Sequence, residues 1–238
     1  MNDLPVPEPA ATDAAAPDPA ANDAEHRAAI ADRVRAVRAR IVEAATRSGR
    51  DPTTVTLVAA TKTVPAAEVR AVVATGVVDV GENRAQELLG KAGEVDGAHW
   101  HFLGRLQRNK VRALAPWITC WESVDRESLG AEIARRAPGA HVLVEVNLGD
   151  EPQKGGCSAR DVPALVDALA ASGLDVGGLM TVPPHDDDPR RWFAALRELA
   201  ASLGLAELSM GMSDDFEVAV EEGATTVRVG RALYGPRA

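Results

Sequence analysis

Lys62 is the side chain of this sequence that is best placed to do chemistry. It follows a short apolar run rich in β-branched residues, and Pro65 opens a helix-like segment just after it. This pattern predicts a buried strand that ends at the lysine, followed by a helix. An ammonium at the carboxyl end of a buried parallel strand lies where α/β proteins bind ligands, within reach of an aldehyde or a phosphate. A solvated lysine after a strand is the alternative that the pattern leaves open.

Two glycine-containing segments near the end of the chain are candidates for anion binding. Residues 209–215 read Ser-Met-Gly-Met-Ser-Asp-Asp, and the second segment begins with Gly230 and Arg231. Glycine lets the backbone approach a ligand, and arginine adds a permanent positive charge. In barrels, the loops after strands seven and eight often hold a phosphate. Two ordinary strand-to-helix turns remain the alternative for these segments.

Arg228 lies inside the last predicted strand. Because side chains alternate along a strand, Arg228 shares a side with Thr226 and Gly230, so either it or Val227 points into the centre of the fold. An inward guanidinium would need a partner.

Other chemistry-bearing patterns do not complete a site. Residues 104–110 lack the second glycine and the Ser or Thr of a phosphate-binding P-loop. His99 and His101 have no cysteine or carboxylate at ligand spacing, so we expect a packed or hydrogen-bonded pair and no metal site. Cys120 and Cys157 show no metal-type spacing either, and we expect two separate reduced thiols.

The elements that would position these residues alternate regularly. A helix from Asp23 precedes eight strand-like runs, each separated from the next by a helix-like segment. This rhythm favours parallel pairing, and closure of eight strands removes both sheet edges. We therefore predict an α/β fold, a single (β/α)8 TIM-type barrel whose extra N-terminal helix covers the seam between strands eight and one. An open doubly wound sheet is the alternative, although no GxGxxG motif follows any strand.

Composition bounds the rest of the chain. Residues 1–22 are mostly Ala, Pro and Asp, which predicts a disordered tail before a barrel domain at 23–238. Six acidic residues and no lysine or arginine lie in the first 25 positions, so the remainder carries only −3 of the net charge of −9. The absence of a basic block argues against nucleic-acid binding. Without a long apolar run or a signal-like start, we expect no membrane association and a cytoplasmic location. We also expect a monomer.

Several motifs, occurring in order over roughly residues 26–235, resemble those of the pyridoxal phosphate homeostasis protein family. The segment at 209–215 is the most specific of them. The others are Ala-Thr-Lys-Thr at 60–63, Val-Gly-Glu-Asn at 80–83, Trp-His-Phe-Leu-Gly at 100–104, Gln-Arg-Asn-Lys at 107–110, Glu-Val-Asn at 145–147, Gly-Leu-Met at 178–180 and Val-Arg-Val-Gly at 227–230.

The resemblance implies a barrel like the N-terminal domain of alanine racemase that binds pyridoxal 5'-phosphate (PLP). Lys62 matches the family lysine that forms a Schiff base, or internal aldimine, with the cofactor, and Asn83 would lie beside it. The phosphate end would be shaped by Ser209, Gly211, Met212 and Gly230.

Arg228 would meet the pyridine nitrogen of the cofactor in this resemblance. A guanidinium stays protonated and cannot accept the pyridinium proton, so the ring would be a weaker electron sink. Arg231 stands where the family commonly has threonine, so a hydroxyl contact to the phosphate is lost and a charge takes its place. Pro152 is a second departure, within a loop that otherwise keeps the family pattern.

The resemblance implies a carrier that holds PLP for intracellular homeostasis and delivers it to PLP-dependent apoenzymes, with little or no catalysis. A PLP-dependent amino-acid racemase or related enzyme is the alternative. Two-base racemisation needs an acid/base on the face opposite the lysine, which alanine racemase supplies with a tyrosine near a separate C-terminal domain. The only tyrosine here is Tyr234, four residues before the last residue, so we expect no efficient racemase.

Overall fold

The computed structural model describes residues 19–185 and 187–235, with side chains from residue 23 onward. Within these residues, eight parallel strands pair in sequence order, and β1 also pairs with β8, so the sheet closes into a barrel. The predicted (β/α)8 barrel is therefore confirmed, and the open sheet is excluded. The strands are β1 (Thr56–Ala60), β2 (Asp79–Glu82), β3 (His99–Phe102), β4 (Ile118–Val124), β5 (His141–Glu145), β6 (Asp175–Met180), β7 (Glu207–Ser209) and β8 (Thr226–Val229).

A helix follows each strand and returns the chain to the opposite end of the barrel, as parallel pairing requires. The helices after β1 to β8 are α2 (Ala66–Val73), α3 (Ala85–Lys91), α4 (Val111–Leu114), α5 (Glu127–Arg136), α6 (Val162–Ala171), α7 (Pro189–Ser202), α8 (Phe216–Glu221) and α9 (Arg231–Tyr234). Helix α9 is a single turn of four residues, as is α4, and it leaves the seam between β8 and β1 open to another element.

The N-terminal helix α1 (Pro19–Arg47) fills that seam. Its apolar stripe includes Ile30, Val34 and Val37, which are all buried, and it packs against α2, α8 and α9. Its backbone is already helical four residues before the expected start at Asp23. The predicted tail, residues 1–22, falls mainly outside the described residues and stays a prediction.

The interior of the barrel differs from the core around it. Large apolar side chains such as Trp100, Phe102 and Trp121 point outward from the strands and pack beneath the helices. Inside the barrel, the apolar cluster is small and contains Cys120, Leu143 and Met180. The rest of the interior is therefore open to polar side chains, which carry the chemistry of the site.

Candidate functional site

The residues predicted to bind a ligand come together at the carboxyl ends of the strands. Lys62 lies two residues beyond β1, Asn83 one residue beyond β2, and Gly230 one residue beyond β8. Ser209 is the last residue of β7. Parallel strands in a closed barrel point the same way, so these positions share one rim, the end at which barrel enzymes build their sites.

Lys62 presents an unpaired amine at this rim. Its side chain is half-buried, and among the described residues its ammonium has no hydrogen-bond or ion-pair partner. A lysine without a carboxylate partner keeps its nitrogen available for a ligand.

A buried ion pair supports the backbone just before Lys62. Lys91, on α3, donates to the Thr61 carbonyl at 2.8 Å and to Glu82 Oε2 at 2.7 Å, and the Glu82 side chain is fully buried. Glu82 also accepts from the Thr61 hydroxyl at 3.0 Å and from the Asn83 N–H at 2.8 Å. This network fixes the ends of β1 and β2 together, and with them the bases of Lys62 and Asn83.

The residue after Lys62 has a strained backbone. Thr63 has φ 63°, in the left-handed region that β-branched residues avoid, at a cost of roughly 1–3 kcal/mol. Its N–H donates to Glu87 Oε2 at 2.7 Å, which holds the pKa of Glu87 below its usual value. Strain that the surroundings over-determine is typical of functional positions, and here it sets the direction in which Lys62 leaves the strand.

A cavity of about 220 Å³ lies among the segments that follow β2, β3, β5 and β6, and we call it the mouth cavity. Its lining includes Asn83, Arg105, Glu145 and Lys154. The Oε2 atom of Glu145 is buried and has no hydrogen-bond partner. Burial, together with the negative charge of Asp125, raises the pKa of Glu145 to about 7, against the opposing charges of two arginines. A buried acceptor left unsatisfied in this way is an expected feature of a ligand site.

Arg228 points into the barrel, which settles the alternative that strand periodicity left open. Its guanidinium is buried and donates to Ser209 Oγ at 2.6 Å and to the Thr181 carbonyl at 2.8 Å. Ser209 in turn donates to Glu122 Oε2 at 2.5 Å, and Arg228 lies 3.8 Å from the same oxygen. Burial lowers the pKa of Arg228, while the nearby carboxylates oppose that shift and stabilise the cation.

The glycine loops have their own structural requirements. Gly211 has φ 93°, and a Cβ there would lie 2.5 Å from the Ala219 Cβ on α8. The close packing against α8 is therefore by itself enough to require a glycine at this position. The Met212 N–H donates to Asp215 Oδ1 at 2.6 Å. Arg231 is exposed and forms an ion pair with Asp214 across the two loops. Of the predicted phosphate-end residues, Ser209 is inside the barrel, whereas Met212 and Arg231 are on the surface of the rim.

Sequence reasoning missed Glu122, Glu145 and Lys91. Glu122 and Glu145 are charged residues at alternate positions of otherwise apolar strands, and that period-two pattern was the available signal. Lys91 carries no such signal, because its role depends on how α3 packs against β1. His101 forms hydrogen bonds with Glu122 at 2.6 Å and Asp79 at 3.3 Å, as expected of a hydrogen-bonded histidine.

Comparison with known proteins agrees with this geometry. Residues 27–238 match the family model described as alanine racemase, N-terminal domain. The chain is 44% identical to a pyridoxal phosphate homeostasis protein of Pseudomonas aeruginosa, over 87% of this chain and 96% of the relative. It is similar to PipY of Synechococcus elongatus, solved with PLP bound, with a TM-score of 0.76 and 33% identity over 87% of this chain and 100% of PipY. It is also similar to a protein of unknown function from Bifidobacterium adolescentis, with a TM-score of 0.82 and 35% identity over 92% of this chain and 97% of that protein.

Proposed function

Because the chain belongs to the pyridoxal phosphate homeostasis protein family, whose barrel is of the alanine racemase N-terminal type, we propose that it holds PLP covalently through Lys62 and performs little or no catalysis. The protein binds PLP and acts in PLP homeostasis. The observation that carries the covalent assignment is the unpaired amine of Lys62 on a fixed, strained turn at the barrel rim.

The residues at the rim fit the chemistry of PLP. When bound, the cofactor supplies an aldehyde that condenses with an amine, and it carries a phosphate and a phenolic oxygen that require donors. Lys62 provides the amine, and the mouth cavity provides cations at Arg105 and Lys154. Asn83 is exposed at the same rim, and among the described residues its side-chain amide makes no hydrogen bond, so it is available to a ligand.

The phosphate end of the site is proposed to lie at the loops after β7 and β8. In these loops, the backbone of Gly211, Met212 and Gly230 is proposed to contact the phosphate. Ser209, buried at the end of β7, lies beneath the loops inside the barrel. Arg231 provides positive charge where the family commonly has threonine, although it must exchange its pairing with Asp214 for the phosphate.

Arg228 is proposed to face the ring nitrogen as a fixed cation. Three hydrogen-bonding or ionic partners, Ser209, the Thr181 carbonyl and Glu122, hold its guanidinium in one position. Such a group excludes a proton from the ring nitrogen, which weakens the stabilisation of a carbanion. This property supports a carrier over an enzyme.

Tyr234 gives further support to a non-catalytic role. Its hydroxyl is buried without a hydrogen-bond partner, and it is not among the residues that line the mouth cavity. Burial and the charges of two glutamates raise its pKa, which opposes the ionisation that an acid/base in racemisation requires. Tyr234, the only tyrosine of the sequence, therefore does not face the mouth cavity as an acid/base for two-base racemisation would.

A transfer assay combined with a racemisation assay tests this function. PLP-loaded protein should reactivate an added PLP-dependent apoenzyme, whereas Lys62→Ala carries over much less cofactor. Racemisation of free amino acids, followed by chiral chromatography, should remain far below the ordinary enzyme range of ~1 to 1000 per second. A turnover within that range would replace the carrier proposal with the racemase alternative.

Partners and location complete the proposal. Delivery to PLP-dependent apoenzymes agrees with the names of the relatives, and we propose a monomer in the cytoplasm. Among the described residues, no helix is both long and apolar enough to cross a membrane.

A further inference from the structure

Three potential metal ligands of different chemistry face one another inside the barrel, below the rim. They are His101 on β3 and Cys120 and Glu122 on β4, and their ligand atoms all lie within 4.8 Å of one another. Cys120 and Glu122 are 5% and 0% exposed, and the His101 side chain is 12% exposed. This group lies outside the proposed PLP-contacting residues, although Glu122 also helps to hold Ser209 and Arg228 in place.

The barrel creates this group from residues that are far apart in sequence. His101 and Cys120 are direct partners in the register between β3 and β4. Cys120 and Glu122 are two residues apart, and side chains with this spacing point to the same face of a strand. The residues next to His101 in the sequence therefore include no second metal ligand. The ligands come together only when β3 and β4 pair in the folded sheet.

We propose that His101, Cys120 and Glu122 bind one divalent cation of the zinc class. Imidazole nitrogen, thiolate sulfur and carboxylate oxygen together suit Zn²⁺ and its substitute Co²⁺, whereas Mg²⁺ and Ca²⁺ prefer oxygen ligands. Bonds of about 2.0–2.3 Å place the ligands of a tetrahedral site roughly 3.3–3.8 Å apart. The present group reaches that size if its widest separation, up to 4.8 Å, contracts by about 1 Å and if His101 Nδ1 and Glu122 Oε1, now 2.6 Å apart, separate by about 0.7 Å.

The atoms around the group would orient its ligands. His101 Nδ1 lies 2.6 Å from Glu122 Oε1, and its other nitrogen, Nε2, lies 3.3 Å from Asp79 Oδ1. A carboxylate behind a ligating imidazole is the usual support of a metal site. Oε2 of Glu122 is held by Ser209, which leaves Oε1 for the cation.

The charge of the group balances on binding. The cation replaces the proton that lies between Nδ1 and Oε1 and the thiol proton of Cys120, and both protons leave to solvent. Exchange of two protons for one divalent ion leaves the net charge of the interior unchanged, so Arg228, 3.8 Å from the far oxygen of Glu122, meets no additional charge.

A second cavity shares one residue with the surroundings of the group. This cavity of about 480 Å³ lies at the amino ends of β1 and β2, between them and α1, and Asp79 is part of its lining. Asp79 also contacts His101 and is therefore common to this cavity and to the surroundings of the proposed site.

Metal titration of the untagged full-length protein tests this proposal. After chelator treatment and dialysis, Co²⁺ should bind with one equivalent per chain and produce the intense visible d–d bands of tetrahedral coordination, where PLP does not absorb. Zn²⁺ should displace it, with one zinc per chain by elemental analysis. Cys120→Ala should weaken Co²⁺ binding at least tenfold and remove the thiolate charge-transfer band.

Cys157→Ala is the matched control, because Cys157 is the other free cysteine and lies outside the group. It should bind metal as the unchanged protein does. If Cys120→Ala does not fold by circular dichroism, Cys120→Ser provides the same comparison at nearly constant volume. Absence of tetrahedral Co²⁺ bands in the unchanged protein, or equal binding by the folded Cys120 variant, would overturn the metal site.

Discussion

Lys62 owes its proposed role to residues that hold its backbone. The ammonium of Lys91 spans the Thr61 carbonyl and the fully buried carboxylate of Glu82, so it joins the ends of two strands at one point. Such a pair is costly to break, because removal of one partner leaves an uncompensated buried charge.

Lys91→Met should therefore destabilise the protein by about 3 kcal/mol and weaken PLP retention, although Lys91 itself is not proposed to touch the cofactor. Urea denaturation measures the first effect, and equilibrium dialysis of PLP measures the second. The double variant Glu82→Gln/Lys91→Met should recover part of the lost stability, since it removes both charges. Equal stability of Lys91→Met and the unchanged protein would show that the Lys91–Glu82 ion pair does not support the turn that carries Lys62.

Glu145 gives the stability of the protein a specific pH dependence. Its carboxyl has a pKa of about 7 in the folded protein, against an ordinary value of 4.5. Below pH 4.5 the Glu145 carboxyl is protonated in both the folded and the unfolded protein. Between 4.5 and about 7 the unfolded chain releases a proton that the folded chain retains, so stability falls across this window and then levels off.

Glu145→Gln should remove that loss. Relative to the unchanged protein, the variant should gain about 2 kcal/mol of unfolding free energy between pH 5 and pH 8, measured by urea denaturation at both values. Because the comparison is a difference between two proteins, the titration of other groups cancels. A constant difference at both pH values would mean that Glu145 ionises in the folded state at its ordinary pKa.

At the scale of elements, the barrel interior is organised by contacts between β4, β7 and β8. Arg228→Ala would remove one of the two cations beside the buried Glu122, leaving His101, and would take away the donor to Ser209. We expect a loss of about 3–5 kcal/mol in unfolding free energy. Arg231→Ala, three residues further on, removes only the exposed pair with Asp214 and should change stability by less than about 1 kcal/mol. Similar losses in the two variants would contradict the network.

Local pattern predicted the eight strands and the seam helix because each of these elements is an apolar run or stripe that can be identified without knowledge of its neighbours. The alternation of side chains along a strand also limited the Arg228 side chain to two directions, into the barrel or towards the helices. It could not identify Glu122 as the partner, because that contact depends on strand register. The register shifts between Trp100 and His101 and again between Trp121 and Val124.

Part of the candidate site was predictable from local pattern, because Lys62 and the two glycine loops follow predicted strands. The motif resemblance added Asn83 and the role of each residue, and all of these residues share one rim. The unsatisfied oxygen of Glu145 and the strain at Thr63 are properties of the packed structure, so neither could be inferred from residue type.

At the scale of the whole molecule, α1 closes the barrel and the segment before it is proposed to be dispensable. Among the described residues, deletion of residues 1–22 removes the first turn of α1, well before Ile30, the first buried residue described. Thermal stability and PLP binding should therefore be unchanged, within about 0.5 kcal/mol.

Arg50, just after α1, provides the contrast. Its guanidinium donates to the carbonyls of Val220 and Ala224 at 2.6 and 2.9 Å, which ties the end of this segment to α8. Arg50→Ala should cost about 2 kcal/mol by the same measurement. A large loss of stability on deletion of residues 1–22, with no loss for Arg50→Ala, would contradict the proposal that Arg50, and not the segment before α1, stabilises the seam between β8 and β1.

The central claim is that Lys62 holds PLP, and borohydride reduction followed by peptide mass mapping tests it most directly. Reduction of the PLP-loaded protein should fix a single phosphopyridoxyl group on the peptide that contains Lys62. The adduct should be absent from Lys62→Ala and retained in Lys154→Ala, whose lysine lines the mouth cavity. An adduct at another lysine, or an undiminished adduct in folded Lys62→Ala, would contradict the account.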